Sequence, residues 1–126
     1  DQYLKDTIFT QKRNFSLEHV KQFIFDEVKP FPETIAWIKK IKQEHHLKVV
    51  ILSNEGRELA LDRTKRFQLT SFTDFFVFSA FVHLRKPDPA IFHLAIDFVQ
   101  CEPAEIIYID DRQSPIDVAE SLGIHA

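Results

Sequence analysis

The run Leu47-Lys48-Val49-Val50-Ile51-Leu52-Ser53-Asn54 is an apolar stretch ending abruptly in a hydroxyl and an amide, and Ile106-Ile107-Tyr108-Ile109-Asp110-Asp111 repeats that arrangement with two carboxylates. Short apolar runs of this kind read as buried parallel strands. Between them, Arg85-Lys86-Pro87-Asp88-Pro89 sets a lysine in a stiffened segment. Ligands of an open α/β sheet bind beyond the carboxyl ends of its strands. Ser53, Lys86 and Asp110-Asp111 are therefore expected to converge on one crevice, a combination suited to holding phosphate together with a metal ion.

The same alternation extends along the chain. Strands are expected at Leu47–Leu52, Phe75–Ser79 and Ile106–Ile109, and helices near Glu33–His46, Glu58–Phe67, Pro89–Val99 and Pro115–Leu122. Strand and helix in turn predict an α/β fold with a parallel sheet and right-handed crossovers. Upstream, Ser16 is a plausible N-cap, Glu18 suits the first helical turn, and Leu17, Val20, Phe23, Ile24 and Phe25 form an apolar stripe. These features predict a helix over Leu17–Val28. Pro30-Phe31-Pro32 breaks it, dividing a helical segment over 1–30 from an α/β region over 31–126.

Composition narrows the function classes. With 126 residues, 44% of them hydrophobic and thirteen of them Phe, the chain has material for one principal core. Sixteen basic residues against nineteen acidic give a net charge of −3. No basic footprint for nucleic acid or an anionic membrane surface follows from that balance. The lone Cys101 excludes an internal disulfide framework, and no apolar stretch reaches the roughly 20 residues of a bilayer span. A cytoplasmic protein with small-molecule partners is expected. The chain begins at Asp1 and contains no Met, which suggests processing or excision from a longer chain. Its two glycines, Gly56 and Gly123, exclude a Gly-rich phosphate loop.

Each candidate residue has a plainer reading beside the functional one. Adjacent acids at a strand end repel unless a cation neutralises them, and Mg²⁺ suits one or two carboxylates with several waters. Asp111 or Ser114 could equally cap a helix opening at Pro115. Ser53-Asn54 is ordinary turn chemistry when taken alone. Lys86 could bridge phosphate and carboxylate as a compact charge, while Asp88 caps the helix that Pro89 begins. His45-His46 suits a helix C-terminus better than a metal site. The aromatic run Phe72, Phe75, Phe76, Phe78 and Phe81 reads as core, and Cys101 has no evident activating partner.

In combination these motifs are far more specific. The order of the apolar run with Ser53-Asn54, then Arg85-Lys86-Pro87-Asp88-Pro89-Ala90-Ile91-Phe92, then Ile106-Ile107-Tyr108-Ile109-Asp110-Asp111-Arg112, with Ala119 and Leu122-Gly123-Ile124-His125-Ala126 following, resembles the haloacid dehalogenase-like (HAD) hydrolase superfamily over about Pro30 to Ala126. The resemblance implies a Rossmann-like three-layer αβα core preceded by the remnant of a helical cap. It implies that Ser53, with Asn54 beside it, binds the phosphoryl group, that Lys86 steadies nucleophile and phosphate, and that Asp110 and Asp111 hold Mg²⁺. The implied activity is hydrolysis of a small phosphorylated metabolite through an Asp nucleophile.

Departures from the family pattern bear on mechanism. The family attacks with the first Asp of an Asp-x-Asp motif, and this chain has none. Its nearest imitation, Phe23-Ile24-Phe25-Asp26-Glu27-Val28, falls in the predicted helix, so Asp26 is not the nucleophile. Relatives often carry Gly and Glu where His83 and Phe81 stand, and Asn or Asp near Pro115. Asp117 does not have the spacing to replace the latter. The chain also stops where relatives begin another strand, so both ends are expected to be cut. Two further readings stay open: a catalytically silent binding module, which the absent Asp-x-Asp favours, and a metal-free 2-haloacid dehalogenase, which the acidic pair disfavours. A receiver-type phosphoacceptor domain would place its acidic pair first rather than last.

Overall fold

The computed structural model describes residues 2–126, which fall into two compact units, one ending at Pro32 and one running from Glu33 to Ala126. In the first unit, α1 (Gln2–Thr7) was not foreseen and α2 (Leu17–Glu27) was. The Ser16 side chain caps α2 by accepting the His19 N–H at 3.2 Å, as Ser at an N-cap does. Leu17, Val20, Ile24 and Phe25 are half-buried along one stripe, whereas Phe23 is exposed. Phe9 and Phe15 meet edge to face with centroids 5.8 Å apart. Asp26 lies on the helix, where its Oδ1 accepts from the Gln22 amide at 2.8 Å.

The second unit is mixed α/β. After α3 (Pro32–His45) come β1 (Val50–Ser53), α4 (Arg57–Arg66), β2 (Phe75–Phe78), α5 (Ser79–Val82), α6 (Pro89–Val99) and α7 (Gln113–Ser121). β1 and β2 pair in parallel from Val50↔Phe75 to Ser53↔Phe78, and α4 provides the crossover. Residues 47–49, expected in β1, lie outside it because other bonds hold them. The Val49 N–H donates to Asp74 Oδ2 at 2.7 Å, and Lys42 Nζ reaches both Leu47 O at 3.1 Å and the Asp74 carboxylate. The Lys42 hydrogen bond, then that from Val49, holds the Asp74 carboxyl below its ordinary value.

The expected strand Ile106–Ile109 is corrected. Among the described residues the sheet has two strands, and this segment contributes only an isolated parallel bridge, Ile107↔His125. The Tyr108 N–H donates to His125 O at 2.7 Å and the His125 N–H to Ile106 O at 3.1 Å. The segment is not buried on both faces either. Ile106 and Tyr108 pack on the core, whereas Ile107 and Ile109 are 75% and 70% exposed. Period-two alternation of an extended chain separates these pairs, which the unbroken apolar pattern concealed.

Val77, Ile91, Phe92, Ala119 and Ile124 form the buried centre, joining β2, α6, α7 and the segment after α7. α6 is the principal packing helix. Asp88 Oδ1 caps it by accepting the Ala90 N–H at 2.9 Å, and Pro89 occupies its first turn. α7 begins at Gln113 without a side-chain cap from Arg112, so neither Asp111 nor Ser114 serves as the cap. His83 ends α5 with φ 57°, a left-handed conformation that favours glycine, in which His is nonetheless among the more tolerated residues. That backbone explains why glycine suits this position better than it suits its neighbours.

Candidate functional site

The end of β1, the turn before α6 and the segment after Ile109 bring three of the expected groups together. Asn54 ties the first two. Its Nδ2 donates to Lys86 O and its Oδ1 accepts the Lys86 N–H, each at 2.8 Å. This reciprocal pair satisfies both backbone groups of Lys86, which a buried segment requires. Both polar atoms of the Asn54 side chain are thereby engaged in placing the lysine. The Lys86–Pro87 peptide is cis.

The Lys86 side chain runs from that clamp to Asp110. Its Nζ donates to Asp110 Oδ2 at 2.5 Å and to the Tyr108 hydroxyl at 3.1 Å, and the Tyr108 hydroxyl donates to the same Oδ2 at 2.6 Å. The side chains of Lys86 and Asp110 are 7% and 5% exposed. Asp110 Oδ1 faces the other way, accepting the Arg112 N–H at 3.0 Å with Arg112 Nε 3.6 Å distant. Burial pushes the Asp110 carboxyl up, but the hydrogen bonds from Lys86 and Tyr108 and the Lys86 charge outweigh it and hold the group at about 2. Burial, then the bond to Asp110, drives the Tyr108 hydroxyl far above its ordinary value. Near neutral pH the triad is thus a lysine beside an ionised carboxylate, with a neutral phenol bridging them.

Ser53 belongs to a second group of bonds. Its Oγ donates to Glu55 Oε1 at 2.7 Å, and Arg63 NH1 donates to the same oxygen at 2.6 Å. The Glu55 N–H donates to Ser79 Oγ at 3.0 Å, tying this turn to the end of β2. Asp111 is exposed and stands outside both groups.

Among the described residues no cluster of three or more His, Cys, Asp or Glu side chains is placed to hold a metal ion. The acidic pair nevertheless has the donor chemistry of a hard cation. Asp110 is ionised, and its Oδ1 accepts one backbone N–H where a carboxylate oxygen has two lone pairs. Asp111 offers an exposed second carboxylate. Such a set fits an ion that keeps several of its waters.

Sequence reasoning did not single out Tyr108, Glu55, Arg63 or Ser79. Tyr108 was accessible in principle, because it stands two residues before Asp110 on an extended chain and so shares its face. Arg63 and Ser79 carried no local signal, since each meets Glu55 only through tertiary structure.

Comparison with known proteins identifies the class. The chain matches the haloacid dehalogenase-like hydrolase family over residues 1–126. It belongs to that family. It is 27% identical over 122 residues to a phosphorylated carbohydrates phosphatase of Thermotoga maritima, covering 96% of this chain and 55% of that protein. It is 37% identical over 103 residues to acyl-CoA dehydrogenase family member 10 of Mus musculus, covering 77% of this chain and 9% of that one. The chain therefore spans about half the length of the first relative and a small part of the second. A HAD family enzyme of Bacteroides thetaiotaomicron, solved in complex with magnesium and inorganic phosphate, has the same fold, with a TM-score of 0.80 at 19% identity over 98% of this chain and 64% of that one. No helix among the described residues is long and apolar enough to cross a membrane.

Proposed function

We propose that these residues form part of a Mg²⁺-dependent HAD-type phosphatase acting on a small phosphorylated metabolite in the cytoplasm. The observation that carries the reading is the buried Lys86, clamped at its backbone by Asn54 and aimed at Asp110 by its side chain. In this reading residues 31–126 belong to a three-layer αβα core and 1–30 are the remnant of a cap. The family membership and the relative that acts on phosphorylated carbohydrates support the phosphatase form.

Each residue has a stated part. Lys86 presents a compact positive charge to a phosphate oxygen and to the attacking carboxylate. Ser53 donates its hydroxyl to the phosphoryl group, with Asn54 fixing the register of the lysine beside it. Asp110 and Asp111 would hold Mg²⁺, which when bound neutralises phosphate charge and orients the group for in-line transfer. Tyr108 keeps the Asp110 carboxylate oriented. The nucleophilic Asp lies outside these 126 residues, because the chain contains no Asp-x-Asp.

Two measurements test the reading. Titration of inorganic phosphate into the chain with Mg²⁺ should show binding that weakens at least tenfold in Lys86→Met, and equal binding by both proteins would overturn it. The same chain should leave p-nitrophenyl phosphate intact, and sustained Mg²⁺-dependent turnover would show that the nucleophile is present after all. The absent Asp-x-Asp also supports a second reading, a silent binding module that keeps phosphate affinity without hydrolysis. Inactivity of a longer chain that carries an Asp-x-Asp segment would favour it.

A further inference from the structure

Glu55 stands two residues beyond Ser53, and its side chain is only 7% exposed. Its Oε1 receives both the Ser53 hydroxyl and Arg63 NH1, at 2.7 and 2.6 Å. The other carboxylate oxygen, Oε2, and the Nε of Arg63 are both buried and have no hydrogen-bond partner among the described residues. Arginine and carboxylate frequently meet through two parallel N–H···O bonds. Here they are joined by one arm, and each leaves a complementary atom unpartnered. Buried polar atoms in that condition are costly, and an arrangement that pairs them would recover part of that cost.

We propose that Glu55, steered by Arg63, is a positioning residue that decides whether the Ser53 hydroxyl is available to phosphate. The proposal rests on the phosphate-binding reading of Ser53. A serine hydroxyl has one proton, and a phosphate oxygen needs it as an acceptor. In the observed arrangement that proton is donated to Glu55 Oε1. In the alternative arrangement Glu55 turns to meet Arg63 through both arms, pairing Oε2 with Nε, and Ser53 donates to the phosphate oxygen instead. The second arm offsets the loss of the serine bond, so phosphate selects between two nearly balanced arrangements. Nothing covalent changes, and each proton stays on its donor atom.

Binding of inorganic phosphate to the 126-residue chain, at neutral pH and fixed Mg²⁺, provides the test. Glu55→Ala should raise phosphate affinity roughly fivefold, the factor that one hydrogen bond of ordinary net worth supplies. That gain should vanish in a Ser53→Ala background, whereas simple removal of a nearby negative charge would persist there. Arg63→Lys keeps the charge but not the planar fork, so it should lower affinity by a similar factor, and it decides the matter if Glu55→Ala does not fold. Affinity that falls with Ser53→Ala but ignores both Glu55→Ala and Arg63→Lys overturns this proposal and leaves the phosphate site standing. A gain that persists undiminished without the Ser53 hydroxyl also overturns it. Absence of phosphate binding from the wild-type chain and from every variant overturns the proposal and the phosphate reading together.

Discussion

Two charge pairs lie beyond the end of β1 in the second unit, Lys86–Asp110 buried on both sides and Glu55–Arg63 buried only at Glu55, and they differ in completeness. Lys86 and Asp110 share a phenol, and Asp110 turns its remaining oxygen to a backbone N–H. Glu55 Oε1 accepts from both the Ser53 hydroxyl and Arg63, but Glu55 and Arg63 each leave a buried atom without a partner among the described residues. Burying charge is unfavourable unless pairing and hydrogen bonding answer it. The first pair meets that condition and is suited to holding a fixed charge. The second meets it only in part and is suited to exchanging partners.

The largest expected effect breaks the complete pair. Lys86→Met leaves Asp110 buried without its cation and should destabilise the chain by about 3–5 kcal/mol, measured as a shift in the urea unfolding midpoint. A loss below about 1 kcal/mol would mean that Asp110 finds water when the lysine is removed, and that the pair is less sealed than its exposure indicates.

Acid unfolding sharpens the same side of the comparison. The folded Asp110 carboxyl titrates at about 2, below the ordinary carboxyl range near 4. A depressed folded value contributes stability that is present above about pH 4 and is lost as the pH falls through about 2. The contribution is roughly 2–3 kcal/mol at neutral pH. Asp110→Asn should therefore be less stable than wild type at pH 7, and the difference should shrink between pH 4 and 2. Parallel stability profiles across that window would contradict the assignment. Tyr108→Phe, which deletes one donor to Oδ2, should raise the midpoint of this titration by NMR.

The smallest effect tests the incomplete pair. Arg63 is 36% exposed and its single-armed contact is open to solvent screening. Arg63→Met should destabilise by only about 1 kcal/mol, well short of Lys86→Met by the same denaturation assay. Equal losses at the two sites would remove the distinction between anchor and adjustable pair.

Much of the architecture was legible from local pattern. The caps Ser16 and Asp88, the proline opening α6, the α3 helix and the β2 run all depend on residues within one turn of each other, where spacing and hydrogen-bonding capacity act directly. Less legible was the Ile106–Ile109 run. Its composition is that of a buried strand, yet its pairing depends on His125, and two of its side chains face solvent. The start of β1 was misplaced for a similar reason, since Asp74 and Lys42 claim the backbone near Val49 from distant positions. Within the candidate site, residue types were readable but partnerships were not. Asn54 was expected at phosphate, and its side chain engages the Lys86 backbone 32 residues away, a contact that local pattern did not foretell.

By itself the sequence determined the longer helices, the β1 and β2 runs and the polar groups that follow the apolar stretches, because apolar periodicity and the chemistry of adjoining polar residues are properties of neighbours in the chain. Tertiary structure alone decided that Lys86 is buried against Asp110 and Tyr108, that Asp111 remains exposed, and that the Ser53 hydroxyl is held by a carboxylate with an incomplete arginine partner. Those outcomes depend on which donors and acceptors remain unsatisfied once helices and strands pack, a competition among groups far apart in the chain.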